Sequence, residues 1–231
     1  MSEKALAIIT ARGGSKRIPK KNIKDFCGKP IIAYSIEAAL GAGIFDEVMV
    51  STDSVEIAEI AKKYGAEVPF MRSERTSDDF ATTSDVLLEV VDEYQKRGQT
   101  FQYMSCIYPT APFVTAKKLQ DAYRMLSESD AVELMPVVPF SYPPQRGFVL
   151  QKERLEMKWK EHINARSQDL ETLYHDCGQF YFYRINEYKA AKGQISEGII
   201  PMLLSDLEVQ DIDNETDWKL AELKYRLQHQ E

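Results

Sequence analysis

A chain of 231 residues, 44% hydrophobic and 28% charged, suffices for one α/β domain with a sizeable core and a small appendage, and two full domains would be cramped. Its net charge of −7 disfavours general nucleic-acid binding, and no apolar run approaches the roughly 18 residues of a membrane span. A short polar start unlike a signal peptide, and widely spaced Cys27, Cys106 and Cys177 without CxxC spacing, lead us to expect a cytoplasmic protein with reduced thiols.

In chain order, residues 6–10 form an apolar run of the buried-strand type. Residues 30–42 read as a helix, with Pro30 at its start and Gly41 and Gly43 near its end. Residues 48–52 read as a second strand. Asp53 is placed to cap the next helix, with Glu56 three positions later in a capping-box-like arrangement and Ile57, Ile60, Ala61 and Tyr64 at helical spacing. Val86, Leu87, Val90, Val91 and Tyr94 mark another amphipathic helix. Residues 103–108 form a strand ended by Pro109. Thr115 caps a helix whose apolar face is Leu119, Ala122, Tyr123 and Leu126, and residues 131–138 are again strand-like. This alternation predicts an α/β fold with a mainly parallel sheet flanked by helices.

The pattern breaks at Pro139, Pro143 and Pro144. Phe148 and Leu150, then Leu155, Met157 and Trp159, alternate at period two around a polar turn at residues 151–154, predicting an antiparallel hairpin within a segment spanning 140–173. An apolar hairpin projecting from a small domain needs a cover. A second subunit supplies one, making a homodimer; packing on its own domain is the other solution. The chain then resumes with strands at 180–184 and 199–204 and a final helix carrying Leu220, Leu223 and Leu227, so that 1–231 reads as a single domain with one insertion.

Ligands of open α/β sheets bind at the carboxyl ends of strands. The loop after the first strand reads Ala11-Arg12-Gly13-Gly14-Ser15-Lys16-Arg17-Ile18-Pro19-Lys20-Lys21-Asn22. Gly13 and Gly14 allow close backbone approach to a phosphate. Arg12, Lys16 and Lys21 can neutralise a triphosphate, and Asn22 can hydrogen-bond a ribose or base. The spacing fits neither the Walker A nor the GxGxxG pattern. A solvated charged loop or a nucleic-acid contact is the alternative.

Taken together, ARGGSKRIPKKN, the Gly28-Lys29-Pro30 helix start, Ser51-Thr52-Asp53, Pro109-Thr110-Ala111-Pro112 and Asp211-Ile212-Asp213 resemble, in the same order over nearly the whole chain, the nucleotidyltransferases that make CMP-activated acidic sugars. The stretch RIPKKNIKDFCGKPIIAYSIEAA is closest to the subgroup whose sugar is pseudaminic acid. The resemblance implies a Rossmann-like, GT-A-like nucleotidyltransferase sheet, CTP and an acidic nine-carbon sugar as substrates, Mg²⁺ as cofactor, and a flagellin or surface-polysaccharide pathway. It places the nucleotide at Ala11, Arg12, Gly13, Gly14, Ser15, Lys16, Lys21, Asn22, Arg72, Ala81 and Thr83. The family often has Pro after the Arg at position 72, whereas this chain has Ser73; on chemistry alone Arg72 could pair with Glu74 or Asp78 at the surface.

Asp211 and Asp213 project to one side of an extended segment and repel unless a cation lies between them. Residues 214–217 also resemble a helix start, where acids are favoured anyway; the resemblance assigns the pair to the metal. It places the sugar near Tyr108, Thr110, His175, Asp176, Gln179 and Tyr181, with a core or interface role open for His175. Sialic-acid-activating relatives commonly carry Gln where this chain has Tyr108, which favours a related acid. Arg12, Lys21 and Asp211 are the expected catalytic residues, in an attack of the sugar's anomeric hydroxyl on the α-phosphorus of CTP.

Overall fold

The computed structural model describes residues 3–229. Strand β1 (Ala5–Thr10) is followed by a small ladder of β2 (Asp25–Phe26) and β3 (Lys29–Pro30), helix α1 (Ile31–Ala42), β4 (Glu47–Ser51), α2 (Val55–Lys63) and α3 (Thr83–Lys96). Then come β5 (Tyr103–Ile107), α4 (Ala116–Ser127), β6 (Glu133–Pro139), the hairpin β7 (Phe148–Gln151) and β8 (Arg154–Met157), β9 (Tyr174–Asp176), β10 (Phe180–Arg184), α5 (Ile185–Ala190), β11 (Ile199–Leu203) and α6 (Glu215–His229).

The main sheet runs β11-β6-β10-β5-β1-β4. Its pairs β1–β4, β1–β5 and β6–β11 are parallel; β10 is antiparallel to both neighbours, and β9 pairs antiparallel with the end of β6. Strand β1 is apolar from Ala5 to Ile9 because both its faces are covered there. Ala5, Ala7 and Ile9 join the core under α1, α2 and α4, whereas Leu6 and Ile8 join the core under α3 and α5. After β1 the chain goes first to β4 on one side and later to β5 on the other, so the crevice expected of such a switch point opens above β1.

Three local expectations change. Ser54, not Asp53, caps α2, its hydroxyl accepting the Ile57 N–H. Glu56 is not part of a capping box: it binds the Lys20 ammonium at 2.7 and 2.8 Å. On α6, Leu220, Leu223 and Leu227 are 43%, 64% and 66% exposed, and the buried residues are Trp218 and Ala221, packed with Phe26, Ile31 and Tyr34. Aromatic partners from the β2–β3 region, invisible to helical periodicity, select that face.

The hairpin turns at Lys152 and Glu153, both in the left-handed region (φ 44° and 67°), which matches the twist of the strands it joins. Phe148, Leu150 and Leu155 are exposed, so these side chains are not covered by their own domain.

Within the sheet, Glu133 on β6 is a buried carboxyl. Burial, reinforced by the charge of Asp176, pushes it up to about 7 from an ordinary 4.5. Between those values the folded state holds a proton that the unfolded state has lost. The stability from this group is therefore complete below the unfolded value and declines as pH rises through the folded one. Glu133→Gln is expected to raise the melting temperature at pH 8 by a few degrees while leaving it unchanged at pH 4; an equal effect at both pH values in a thermal melt would contradict the assignment.

Candidate active site

A cleft of about 500 Å³ lies over the carboxyl end of β1, lined on one side by the loop at residues 12–22 and on the other by residues 72–83. Arg12, Ser15, Lys16, Lys21, Asn22, Arg72, Ala81, Thr83, Tyr108, Thr110 and Asp213 all border it, bringing together residues from four segments of sequence. The cationic loop is thus part of a concave site.

The loop's shape comes from neighbouring strand ends. Gly13 donates its N–H to Asp53 Oδ1 at 2.7 Å, and a Cβ there would sit 3.2 Å from the Ser54 Cβ. That close approach accounts for glycine at 13, and its N–H is committed to Asp53. Gly14 faces open space. Asn22 is buried and gives its amide N–H to the Arg12 carbonyl at 2.9 Å, bracing the loop across its base. Ala11 is wholly buried in the core beneath.

The cations are held by acids. Arg12 reaches Asp79 at 3.0 Å and the Asp78 carbonyl at 3.1 Å, and Lys16 also pairs with Asp79. Those two cations hold the Asp79 carboxyl below its ordinary range, the Lys16 bond contributing most. Arg17 pairs with Asp213 at 2.8 Å. Lys21 donates to the Ile212 carbonyl at 2.6 Å and lies 4.0 Å from Asp213. Burial lowers the Lys21 pKa, outweighing the attraction of Asp213 and Asp211. Asp211 stands on the other side of buried Ile212, beside Gly178. Lost hydration and then the charge of Asp213 push its carboxyl up, partly offset by Lys21.

Arg72 is buried, not a surface ion-pair residue. Its guanidinium donates to Ser51 Oγ at 3.0 Å and to the Ser51 carbonyl at 2.6 Å, and burial lowers its pKa to about 10. It ties the wall at 72–83 to the end of β4.

Tyr108 packs edge-on to Tyr181, with ring centroids 5.7 Å apart. The Tyr181 hydroxyl donates to Asp176 at 2.6 Å, and Asp176 also accepts the Gly178 N–H at 2.8 Å. Together these form a polar, aromatic edge extending from the cleft toward β9. His175 is exposed and packs against Phe140 at 4.8 Å. Gln179 is 1% exposed and donates to the Glu208 carbonyl at 2.6 Å, which turns its amide into the protein. The sequence offers Ser51 and Asp53 only as part of the Ser51-Thr52-Asp53 strand end, with Asp53 also placed to cap a helix, and it carries no signal for Asp79 or for the partners that Ser51 and Asp53 take.

The chain matches the cytidylyltransferase family over residues 6–195. It is 42% identical, over 98% of both chains, to a Campylobacter jejuni protein named pseudaminic acid cytidylyltransferase. This chain belongs to the cytidylyltransferase family. It is also 34% identical, over 94% of both chains, to the CMP-N,N'-diacetyllegionaminic acid synthase of Legionella pneumophila. Its fold is shared with a solved CMP:2-keto-3-deoxy-manno-octonic acid synthetase in complex with CTP, at a TM-score of 0.69 and 17% identity, covering 99% of this chain and all of that one. The family's transfer of CMP from CTP to a sugar is therefore the activity its site has to serve.

Asp79 neutralises two cations that border the cleft, as an anionic ligand would. Asp79→Asn is expected to bind inorganic tripolyphosphate and CTP severalfold more tightly by calorimetry, since solvent-exposed ion pairs are readily exchanged. Unchanged or weaker binding would mean that Asp79 does not compete for Arg12 and Lys16.

Proposed function

We propose that this enzyme transfers CMP from CTP to the anomeric hydroxyl of pseudaminic acid, giving CMP-pseudaminic acid and pyrophosphate. The observation that carries this choice of sugar is the 42% identity over essentially the full length of a protein of that name. Tyr108 in the cleft wall, at a position where sialic-acid-activating relatives commonly have Gln, agrees with it.

In this reading Arg12, Lys16 and Lys21 hold the phosphates and stabilise the departing pyrophosphate. Arg72, Ala81 and Thr83 form the wall for the nucleoside. Tyr108, Thr110, Asp176 and Tyr181 receive the sugar at the far edge, with His175 and Gln179 bounding that region. The sugar hydroxyl approaches the α-phosphorus in line, and the new oxygen–phosphorus bond forms as the α,β-phosphoanhydride bond breaks. Positioning and charge neutralisation supply the acceleration.

Asp211 and Asp213 present hard carboxylate oxygens on either side of Ile212; lost hydration raises Asp211 most, and the repulsion from Asp213 that adds to it is what a divalent cation relieves. This donor set fits Mg²⁺, which takes one or two protein carboxylates and completes its shell with phosphate oxygens and water. Bound there, Mg²⁺ would neutralise phosphate charge and acidify the attacking hydroxyl. Lys21, on the loop, donates to the Ile212 carbonyl between the two acids, so it links the metal acids to the phosphate-binding cations.

The exposed Phe148, Leu150 and Leu155 support a homodimer built through the segment at 140–173. Among the described residues no helix is long and apolar enough to cross a membrane. A cytoplasmic location suits an enzyme that consumes CTP and keeps Cys106 and Cys177 as thiols.

Pyrophosphate release with CTP, Mg²⁺ and a panel of pseudaminic, N-acetylneuraminic, legionaminic and 3-deoxy-manno-octulosonic acids tests the substrate. The expected result is the highest kcat/KM for pseudaminic acid; preference for another acid transfers the assignment to it, and CTP binding without turnover leaves only a nucleotide-binding protein. Arg12→Ala and Asp211→Ala are each expected to abolish release with the fold intact by circular dichroism, and near-normal turnover would remove that residue's role. Leu150→Glu combined with Leu155→Glu is expected to give a monomer in light scattering, whereas an unchanged dimer would place the interface elsewhere.

A further inference from the structure

The cleft wall at residues 72–83 is largely exposed and is held within itself by short-range hydrogen bonds, among them those from the Phe80 and Ala81 N–H groups to Asp78 Oδ1 at 2.9 and 2.7 Å. Ser73 is exposed, residues 78–80 are exposed, and Phe80 is 90% accessible. Arg72 fixes one end to β4. The next anchor is Glu89, one turn and a half into α3, whose side chain is only 11% exposed. Its Oε1 accepts the Ser73 backbone N–H at 3.0 Å. Its Oε2 accepts the Ser73 hydroxyl at 2.5 Å and the Thr76 hydroxyl at 2.9 Å, and lies 3.4 Å from Arg75 Nη2. Thr76 is 1% exposed and itself borders the cleft.

We propose that Glu89 is a positioning residue for nucleotide binding: its carboxylate clamps Ser73 and Thr76 and so sets the wall against which the nucleoside rests. This rests on the cleft being the CTP site. The ligand chemistry is that of an ionised carboxylate. Burial acts to raise the Glu89 pKa, and the bonds from Ser73 and Thr76 outweigh it and hold the group below its ordinary range. Bonds to a charged acceptor are about twice as strong as neutral ones, so this one side chain can hold two residues of a largely exposed wall.

The backbone at Ser73 shows what the clamp does. Its φ is −70° and its ψ 158°, and that φ is the one a proline ring imposes by itself. A proline here would fix φ covalently; serine leaves it free, and its N–H and hydroxyl are both spent on Glu89. The clamp and the ring are alternative ways of holding the same bend. They can therefore be exchanged by mutation.

The experiment uses the full-length enzyme. Glu89→Ala is expected to raise KM for CTP about tenfold, the scale of losing charge-assisted hydrogen bonds, with kcat and the KM for the acidic sugar within about twofold. A wall that binds substrate and transition state alike gives that split. CTP affinity measured by calorimetry without sugar should fall by the same factor. Ser73→Pro in the Glu89→Ala background should recover most of the loss, which a merely stabilising role for Glu89 would not allow. Should Glu89→Ala fail to fold, Glu89→Gln, which keeps the shape and loses the charge, should show the same split at about threefold. An unchanged KM for CTP in a folded Glu89 variant overturns the proposal, as does a KM that Ser73→Pro leaves unrecovered. Wild-type protein that does not bind CTP in the same titration would refute the nucleotide site itself, and the clamp's role with it.

Discussion

The bond from the Gly13 N–H to Asp53 joins the ends of two adjacent parallel strands, β1 and β4, at the point where the sheet's connections diverge. Arg12, Lys16, Arg17 and Lys21, four of the cations that border the cleft, lie on the loop that this bond bends, with Arg72 facing them from the opposite wall. Asp53 holds its near end and Asn22 closes its base onto the Arg12 carbonyl. Between these braces Arg12, Ser15 and Lys16 are turned over β1. A side chain at 13 would meet Ser54, so glycine there is a packing requirement. The loop is thus braced at Gly13 and at Asn22, with Gly14, Lys16 and Arg17 exposed between the braces.

Charge is balanced locally on this acidic chain. Asp79 takes Arg12 and Lys16, Asp213 takes Arg17, Glu56 takes Lys20 and Glu215 takes Lys24. Such exposed pairs add little stability and exchange readily with a stronger anion. The pairing keeps a dense basic loop from repelling itself, while leaving its cations available. Lys21 differs: it is partly buried and donates to a backbone carbonyl, so it is fixed where the exposed lysines are not.

The two sides of the cleft are built on different principles. The glycine loop is set by backbone contacts between strand ends. The opposite wall is set by polar side chains, with Arg72 fastened to Ser51 at one end and Glu89 gripping Ser73 and Thr76 further along. The tip at 78–80 reaches back across the cleft only through Asp78 and Asp79.

By itself, the sequence determined the alternation of strands and helices, the projecting hairpin, the cationic loop and its place after β1, because each depends on contacts or periodicity within a few residues. The tertiary structure decided which partner each polar group takes. Asp53 looked like a helix cap because Glu56 lies three positions on, but its partner Gly13 is 40 residues away. Arg72 had acids close by in sequence, yet its donors go to Ser51 on the neighbouring strand end. The leucines of α6 have helical spacing, and only the aromatic residues around Phe26 show that Trp218 and Ala221 face inward. Local spacing limits which faces and loops can form; hydrogen-bond partners, and with them the site's charge state, follow from which strand ends the sheet brings side by side.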